Sequence, residues 1–350
     1  MRRLLLLPFS WIYFLLVQVR HLLYDVGVFP SRKFDVPIIS IGNLSLGGSG
    51  KTPHTEYLIR LLSKDYKVAV LSRGYKRKTK GFVMAHEGSE FEDIGDEPLQ
   101  YVKKFGQDIS IAVDESRCHG VRTLLKNDPG IQTILLDDAF QHRSIRPGFS
   151  VLLTDYRNLY CDDMMFPSGN LRDVKSAAKR ADVIIVTKTE KILSPLVRRA
   201  IKSKLHPLPT QKLYFSYLKY KNPVHFFTGE DLKLKKRYSV IVMFSGVANS
   251  YPMKDHLRYY CRELVSLDFP DHYEYGKRDI EKILHLYDEQ FTRNKMIITT
   301  EKDAMRLINS PYLRLLKDLP LYYLPIEVKL HGQDEVEFNK QILDYVTKVK

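Results

Sequence analysis

The sequence predicts an α/β protein. Its expected core is phosphate-loop-NTPase-like, with a mostly parallel sheet flanked by helices. A second, smaller α/β domain and an N-terminal membrane-associated helix complete it. Three observations carry this reading. Apolar, β-branched runs alternate with helical stretches, the pattern of a parallel sheet covered by helices. The first of these runs leads directly into a glycine-rich turn and then a helix, in "SIGNLSLGGSGKTPHTEYLIRLL" (residues 40–62). The texture then changes: Pro195, Pro207 and Pro209 punctuate a polar region before a second strand-and-helix set begins. The expected units are an apolar segment at 1–30, a phosphate-binding core at 31–210, and a second α/β domain at 211–350 closing over the active site.

A chain of 350 residues that is 44% hydrophobic is long and apolar enough for two packed units. The net charge of +14 favours anionic partners, either phosphorylated substrates or an acidic membrane surface. No nucleic-acid-binding signature is present, and nothing points to a protein partner. Cys118, Cys161 and Cys261 are scattered, odd in number and form no C-x-x-C pair. That argues against a disulfide framework or zinc site and fits a reducing cytoplasm.

The chain opens "MRRLLLLPFSWIYFLLVQVRHLLYDVGVFP". The strongly apolar part, Leu4 to Val17, is shorter than the roughly 20 residues that span a bilayer. No small-residue cleavage site follows, so a signal peptide is disfavoured. An interfacial helix is expected. Trp11, Tyr13 and the leucines would dip into lipid, while Arg2, Arg3 and Arg20 meet headgroup phosphates. The competing reading is a helix buried against the protein itself.

Val36 to Ile41 reads as a buried strand, and Thr52 to Leu62 as the helix after the glycine turn. Further strands are expected over Tyr66 to Tyr75, Asp108 to Ser116 and Ile131 to Phe140, with a helix near Arg117 to Leu125. Phe149 to Tyr156 and Ala181 to Glu190 continue the series. Lys212 to Tyr220 alternates like a half-exposed strand. Tyr238 to Ser250, Met296 to Leu307 and Leu321 to Leu330 form the second set.

The glycine turn departs from G-x-x-x-x-G-K-[ST], because Ser45 stands at the first glycine position. Gly47, Gly48, Ser49 and Gly50 still let backbone N–H groups turn toward an anion at a helix N-terminus. Lys51 can reach the β- and γ-phosphates of ATP, and the Thr52 hydroxyl can bind Mg²⁺. "ILLDDAFQH" ends an apolar strand in Asp137 and Asp138, a second Mg²⁺-holding element. In "GDEP" (residues 95–98), Asp96 could accept a hydroxyl proton or orient a base, and Glu97 could join the metal shell. "FPDHY" offers Asp271 and His272. "FPSGNLRD" ends in Arg172, suited to phosphate recognition, and "SRGYKRK" adds a basic loop after a strand.

Taken together these stretches resemble one family, the tetraacyldisaccharide 4'-kinases of lipid A biosynthesis. The resemblance covers nearly the whole chain. "IGNLSLGGSGKTP" looks like that family's phosphate loop, including the hydroxyl residue at position 45. "LSRGY", "GDEP", "DDAFQHR", "PSGNLRD", "FPDHY" and "TEKDAMRL" follow in the family's order. Asp173 stands where the family has glutamate, and Ala139 where many members have glycine. The resemblance implies an enzyme on the cytoplasmic face of the bacterial inner membrane that phosphorylates the 4'-hydroxyl of an acylated disaccharide lipid. It implies that Lys51 and Thr52 hold ATP and Mg²⁺, and that Asp137 and Asp138 line the metal site with Glu97 nearby. It further implies that Asp96 and His272 form a catalytic pair and that Arg172 stabilises phosphoryl charge. Two other classes compete: a phosphate-loop GTPase or metallochaperone-type switch, and a non-catalytic nucleotide sensor at the membrane. "TKTE" (residues 187–190) faintly resembles a guanine-reading motif, but it ends in Glu190 rather than aspartate.

Overall fold

The computed structural model describes residues 5–234, 237–271, 273–308 and 310–349. The first helix, α1 (Leu7–Asp25), precedes β1 (Ile38–Asn43), the glycine turn and α2 (Lys51–Leu62). There follow β2 (Val68–Ser72), β3 (Val83–Met84), α3 (Asp96–Phe105), β4 (Ser110–Val113), α4 (Arg117–Asn127), β5 (Thr133–Asp137), β6 (Phe149–Asp155), β7 (Val183–Thr187) and α5 (Pro195–Leu205). Next come β8 (Lys212–Tyr220), β9 (Val224–His225), β10 (Tyr238–Ser245), α6 (Tyr251–Arg258), β11 (Cys261–Asp268), α7 (Lys277–Asp288), β12 (Lys295–Thr300) and α8 (Glu301–Leu307). The chain closes with β13 (Leu321–Leu324), β14 (Ile326–Leu330) and α9 (Gln333–Val349).

Two sheets result. The larger runs β14-β8-β7-β6-β1-β5-β2-β4-β3, and the smaller β11-β10-β12-β13-β9. All pairings are parallel except those of β3, β9 and β14, which lie at edges. The central strands β1, β2, β5 and β7 are buried along their whole length, as expected of a parallel sheet covered on both faces. On one face Leu58, Ile59 and Leu62 of α2, Leu99 and Val102 of α3, and Phe338, Ile342 and Val346 of α9 share a core with Ile39, Val70 and Leu135. The last three α9 positions recur every four residues, one stripe of a helix. On the other face α4 and α5 contribute Val121, Leu124, Ile201 and Leu205.

Sheet membership does not divide at residue 210. β8 adds parallel to β7, and β14 returns to pair antiparallel with β8, so the larger sheet claims both ends of the region assigned to the second domain. The expected strand Leu321 to Leu330 is two strands in two different sheets, meeting at Pro325. Proline has no N–H to give to a ladder, so the residue that interrupts the run also marks the crossing.

α1 is two-faced. Phe9, Trp11, Ile12, Leu15, Leu16, Val19 and Leu22 are exposed. The opposite side docks on the loop before β7 and on the loop after β5. The Ser10 hydroxyl donates to Met165 O and accepts from Ser168 N, both at 3.0 Å. Tyr13 donates to Arg172 O at 3.0 Å. His21 Nε2 meets Asp173 Oδ1 at 2.6 Å, and Arg180 holds the other carboxylate oxygen at 3.1 Å. Arg20, expected at lipid headgroups, is half-buried, and its guanidinium donates to Gln141 O at 2.8 Å. Arg2 and Arg3 lie outside the described residues. Among the described residues no helix is long and apolar enough to cross a membrane.

Asp173 makes this docking pH-dependent. Burial alone would raise its carboxyl, but the His21 hydrogen bond and the Arg180 charge outweigh burial and lower it. A carboxylate depressed in the folded state contributes stability above its unfolded value, and that stability is lost as pH falls through the folded one. α1 should therefore stay anchored at neutral pH and loosen only below about pH 4, the unfolded aspartate range. Trp11, the only tryptophan, reports on α1. Its fluorescence should shift in an acid titration, and Asp173→Asn should abolish that transition. An unchanged transition in the variant would assign it to another group.

Candidate active site

The carboxyl ends of the parallel strands in both sheets face one cleft of about 850 Å³. That is where loops can present side chains without breaking a ladder. The glycine turn after β1, Arg73 after β2, Asp138 after β5 and Lys188 after β7 line it from the larger sheet. Ala248 after β10, Asp271 after β11 and Lys302 after β12 line it from the smaller.

The turn that carries Ser45 is built around two left-handed glycines, Gly47 (φ 97°) and Gly50 (φ 86°). A side chain at either would be strained. Ser45 needs no such freedom, since it pairs with Leu171 in a short bridge instead. Gly50 caps α2, whose first residues are Lys51 and Thr52. Ser45, Gly47, Gly48, Ser49, Gly50, Lys51 and Thr52 all line the cleft. Among the described residues the buried Ser49 hydroxyl has no hydrogen-bond partner, an orphan donor that a bound phosphate would satisfy.

Lys51 Nζ stands 3.5 Å from Asn43 Oδ1 and 3.7 Å from Asp138 Oδ2. Arg172 makes a two-pronged pair with Asp138, with Nη1 donating at 3.1 Å. It also donates to Asn43 Oδ1 at 2.5 Å. Burial alone would raise the Asp138 carboxyl, yet Lys51 and Arg172 hold it well below the usual carboxylate range. Asp137 behaves oppositely. It is fully buried and accepts from Tyr101 at 2.9 Å and Thr55 at 3.3 Å. Burial, helped by the charges of Glu97 and Asp138, pushes it up to about 7. Adjacent acids thus sit in opposite protonation regimes because only one faces the cations.

The expected Mg²⁺ set of Thr52, Glu97, Asp137 and Asp138 is not a preformed cage. Among the described residues no three acidic, histidine or cysteine side chains converge as metal ligands. Asp138, in a left-handed conformation (φ 47°), is turned to Arg172 and Lys51, while Asp137 lies behind the cleft wall. What does meet is the Thr52 hydroxyl and Glu97 Oε1, at 3.1 Å.

Asp96 opens α3 and is buried. Gly95 makes that placement possible: a β-carbon there would come within 2.7 Å of Tyr75 O. Asp96 Oδ2 pairs with Arg306 at 2.8 Å and with Lys302 at 3.6 Å, both from α8 of the smaller sheet. Lys302 also reaches Glu97 at 3.4 Å. Burial would lower both cations, but the Asp96 charge, joined by Glu97 at Lys302 and Asp303 at Arg306, raises them instead. His272 lies outside the described residues, although its neighbour Asp271 lines the cleft. Nothing in "TEKDAMRL" marks Lys302 and Arg306 as partners of Asp96, and no motif role points to Asn43. A polar residue closing an otherwise buried strand, as Asn43 closes β1, is the signal that could have found it.

The family model described as tetraacyldisaccharide-1-P 4'-kinase (LpxK) matches residues 2–347. Proteins named tetraacyldisaccharide 4'-kinase are similar over nearly full length. The one from Phocaeicola vulgatus is 44% identical over 98% of this chain and 95% of its own. That from Flavobacterium johnsoniae is 42% identical over 98% of this chain and 97% of its own. A crystal structure of LpxK from Aquifex aeolicus in complex with ATP superposes with a TM-score of 0.74 at 29% identity. It covers 99% of this chain and 100% of that one. A whole-chain family match and relatives this similar establish that the chain belongs to the tetraacyldisaccharide 4'-kinase family.

Proposed function

We infer that the protein is an ATP-dependent lipid kinase. It transfers the γ-phosphoryl group of ATP to the 4'-hydroxyl of a tetraacyl glucosamine disaccharide 1-phosphate. One observation carries the site assignment: the phosphate loop and Lys51 of the larger sheet share a cleft wall with Arg172, while α8 of the smaller sheet grips Asp96. In the transfer the 4'-oxygen bonds to the γ-phosphorus and the bond to the β,γ-bridging oxygen breaks. The hydroxyl proton passes to the Asp96–His272 pair, with Asp96 acting on the sugar hydroxyl and His272 tuning it. Lys51 and the loop N–H groups neutralise charge growing on the leaving ADP, and Arg172 meets the transferring group. Arg73, which also lines the cleft, supplies a cation suited to a phosphate carried by the acceptor.

The residues fit Mg²⁺ of the kind that uses one or two protein oxygens, waters and substrate phosphates. Thr52 and Glu97 would hold it, with Asp138 freed from Arg172 as the phosphates compete for that guanidinium. Asp137 would face it from behind the wall. The ion would neutralise phosphate charge. The smaller sheet would close over the cleft, because its α8 cations already reach the Asp96 helix. A hydrolytic switch would release ADP without the lipid; this reading predicts lipid-dependent ADP release with ATP as the preferred nucleotide. Equal release with and without the lipid would contradict it.

The exposed apolar face of α1 supports a seat at the cytoplasmic surface of the inner membrane, without a crossing helix among the described residues. Leu16 and Tyr13 reach the cleft from the same helix, so acyl chains and cleft would share one apolar surface. Burying each large apolar side chain in the interface contributes up to about 1.5–3 kcal/mol. Changing Ile12, Leu15 and Val19 together to serine should therefore weaken flotation with anionic vesicles at least about tenfold. ATP affinity should stay the same, because these three do not line the cleft. Unchanged flotation would remove α1 from the membrane contact.

A further inference from the structure

The Thr187–Glu190 segment does not stand alone; it grips the phosphate loop. The Thr187 hydroxyl donates to Ser49 O at 2.9 Å. Lys188, turned back by a left-handed backbone (φ 57°), donates from Nζ to Gly48 O and to Asp155 Oδ2, the latter at 2.8 Å. From the first turn of α2, His54 Nδ1 meets Gly50 O at 2.7 Å. A carbonyl can only accept, so Nδ1 carries the proton, and Nε2 accepts from the Ser216 hydroxyl of β8 at 3.0 Å.

Three consecutive carbonyls, those of Gly48, Ser49 and Gly50, are thus each held by a side chain from outside the loop. Peptide units are planar and trans, so each N–H points opposite its carbonyl. Fixing the carbonyls of Ser49 and Gly50 fixes the N–H groups of Gly50 and Lys51 on the other side. Fixing that of Gly48 orients Ser49 N–H, which bonds Gly47 O at 3.1 Å.

We propose that Thr187, Lys188 and His54 are positioning residues that hold the phosphate loop in its anion-binding shape before nucleotide arrives. The proposal rests on the reading that this loop takes the ATP phosphates. It gives the "TKTE" stretch a role in phosphate affinity rather than in base recognition. Preorganisation of this kind favours binding because the loop is not ordered at the moment of contact.

Calorimetry with the full-length protein tests it, using ATP and inorganic tripolyphosphate as separate probes. Removing one such hydrogen bond, in Thr187→Val or Lys188→Met, should weaken both probes equally, by about three- to tenfold. Thr187→Ser, which keeps the hydroxyl, should restore wild-type binding. Should Thr187→Val fail to fold, Lys188→Met carries the test, since its ammonium sits at the cleft rim. If the variants lose ATP but bind tripolyphosphate as the wild type does, the segment reads the base and the proposal is overturned. If the wild type binds neither probe, the phosphate-loop reading itself fails.

Discussion

Lys51→Ala is expected to lower turnover by about 100-fold or more, the typical cost of removing a preorganised charge aimed at the transition state. The ammonium stands at the first turn of α2, between Asn43 and Asp138, and Arg172 bonds the same Asn43 side chain. Without it, charge developing on the β,γ-bridging oxygen loses the side-chain cation carried by the loop itself. Asp138 would also lose one of the cations, Lys51, Arg172 and Arg117, that keep it ionised, which adds to the loss. The protein should still fold, because Lys51 anchors no apolar cluster. Steady-state kinetics with ATP and the acylated disaccharide measure the effect. Activity within about threefold of wild type would be less than one lost hydrogen bond and would remove the loop from the chemistry.

Asp96→Asn is expected to lower kcat by about 100- to 10,000-fold, the range for losing a positioned acid or base, while leaving ATP affinity nearly intact. Asparagine keeps the shape and an acceptor for Glu97 N–H, but it cannot take the hydroxyl proton. It also leaves Arg306 and Lys302 without the anion that they share, so the smaller sheet's grip on α3 weakens. His272→Ala should give a similar loss. Residues that act as a unit are non-additive, so the double variant should be little worse than the poorer single one. Losses that add in log rate would assign the two residues independent roles.

Much of this was legible in the sequence, for local reasons. The phosphate loop, its helix and the buried strands around it are set by glycines and apolar runs that need no distant partner, and the observed elements fall within a few residues of the expected ones. Sheet membership was not legible. β8 alternates like a half-exposed strand whichever sheet it joins, and only its pairing with β7 decides. Pro325 could be seen as a break, but not as a passage between two sheets. The site divides the same way. Residues carried by short motifs (Lys51, Thr52, Asp138, Arg172) line the cleft together. The Asp96–Arg306 pair joins positions 210 residues apart, and no spacing rule reaches that far. Asp137 and Asp138 looked alike as adjacent acids. Their opposite environments come from Tyr101 and Thr55 behind one, and Arg172 and Lys51 before the other.

The central claim is a phosphoryl transfer to one hydroxyl of one lipid. Mass spectrometry of a tetraacyl disaccharide 1-phosphate incubated with ATP, Mg²⁺ and the full-length protein tests it most directly. The expected product is heavier by one phosphoryl group, carried on the 4'-oxygen and absent when Lys51→Ala replaces the wild type. ADP formed while the lipid keeps its mass, or phosphate found at any other position, would contradict it.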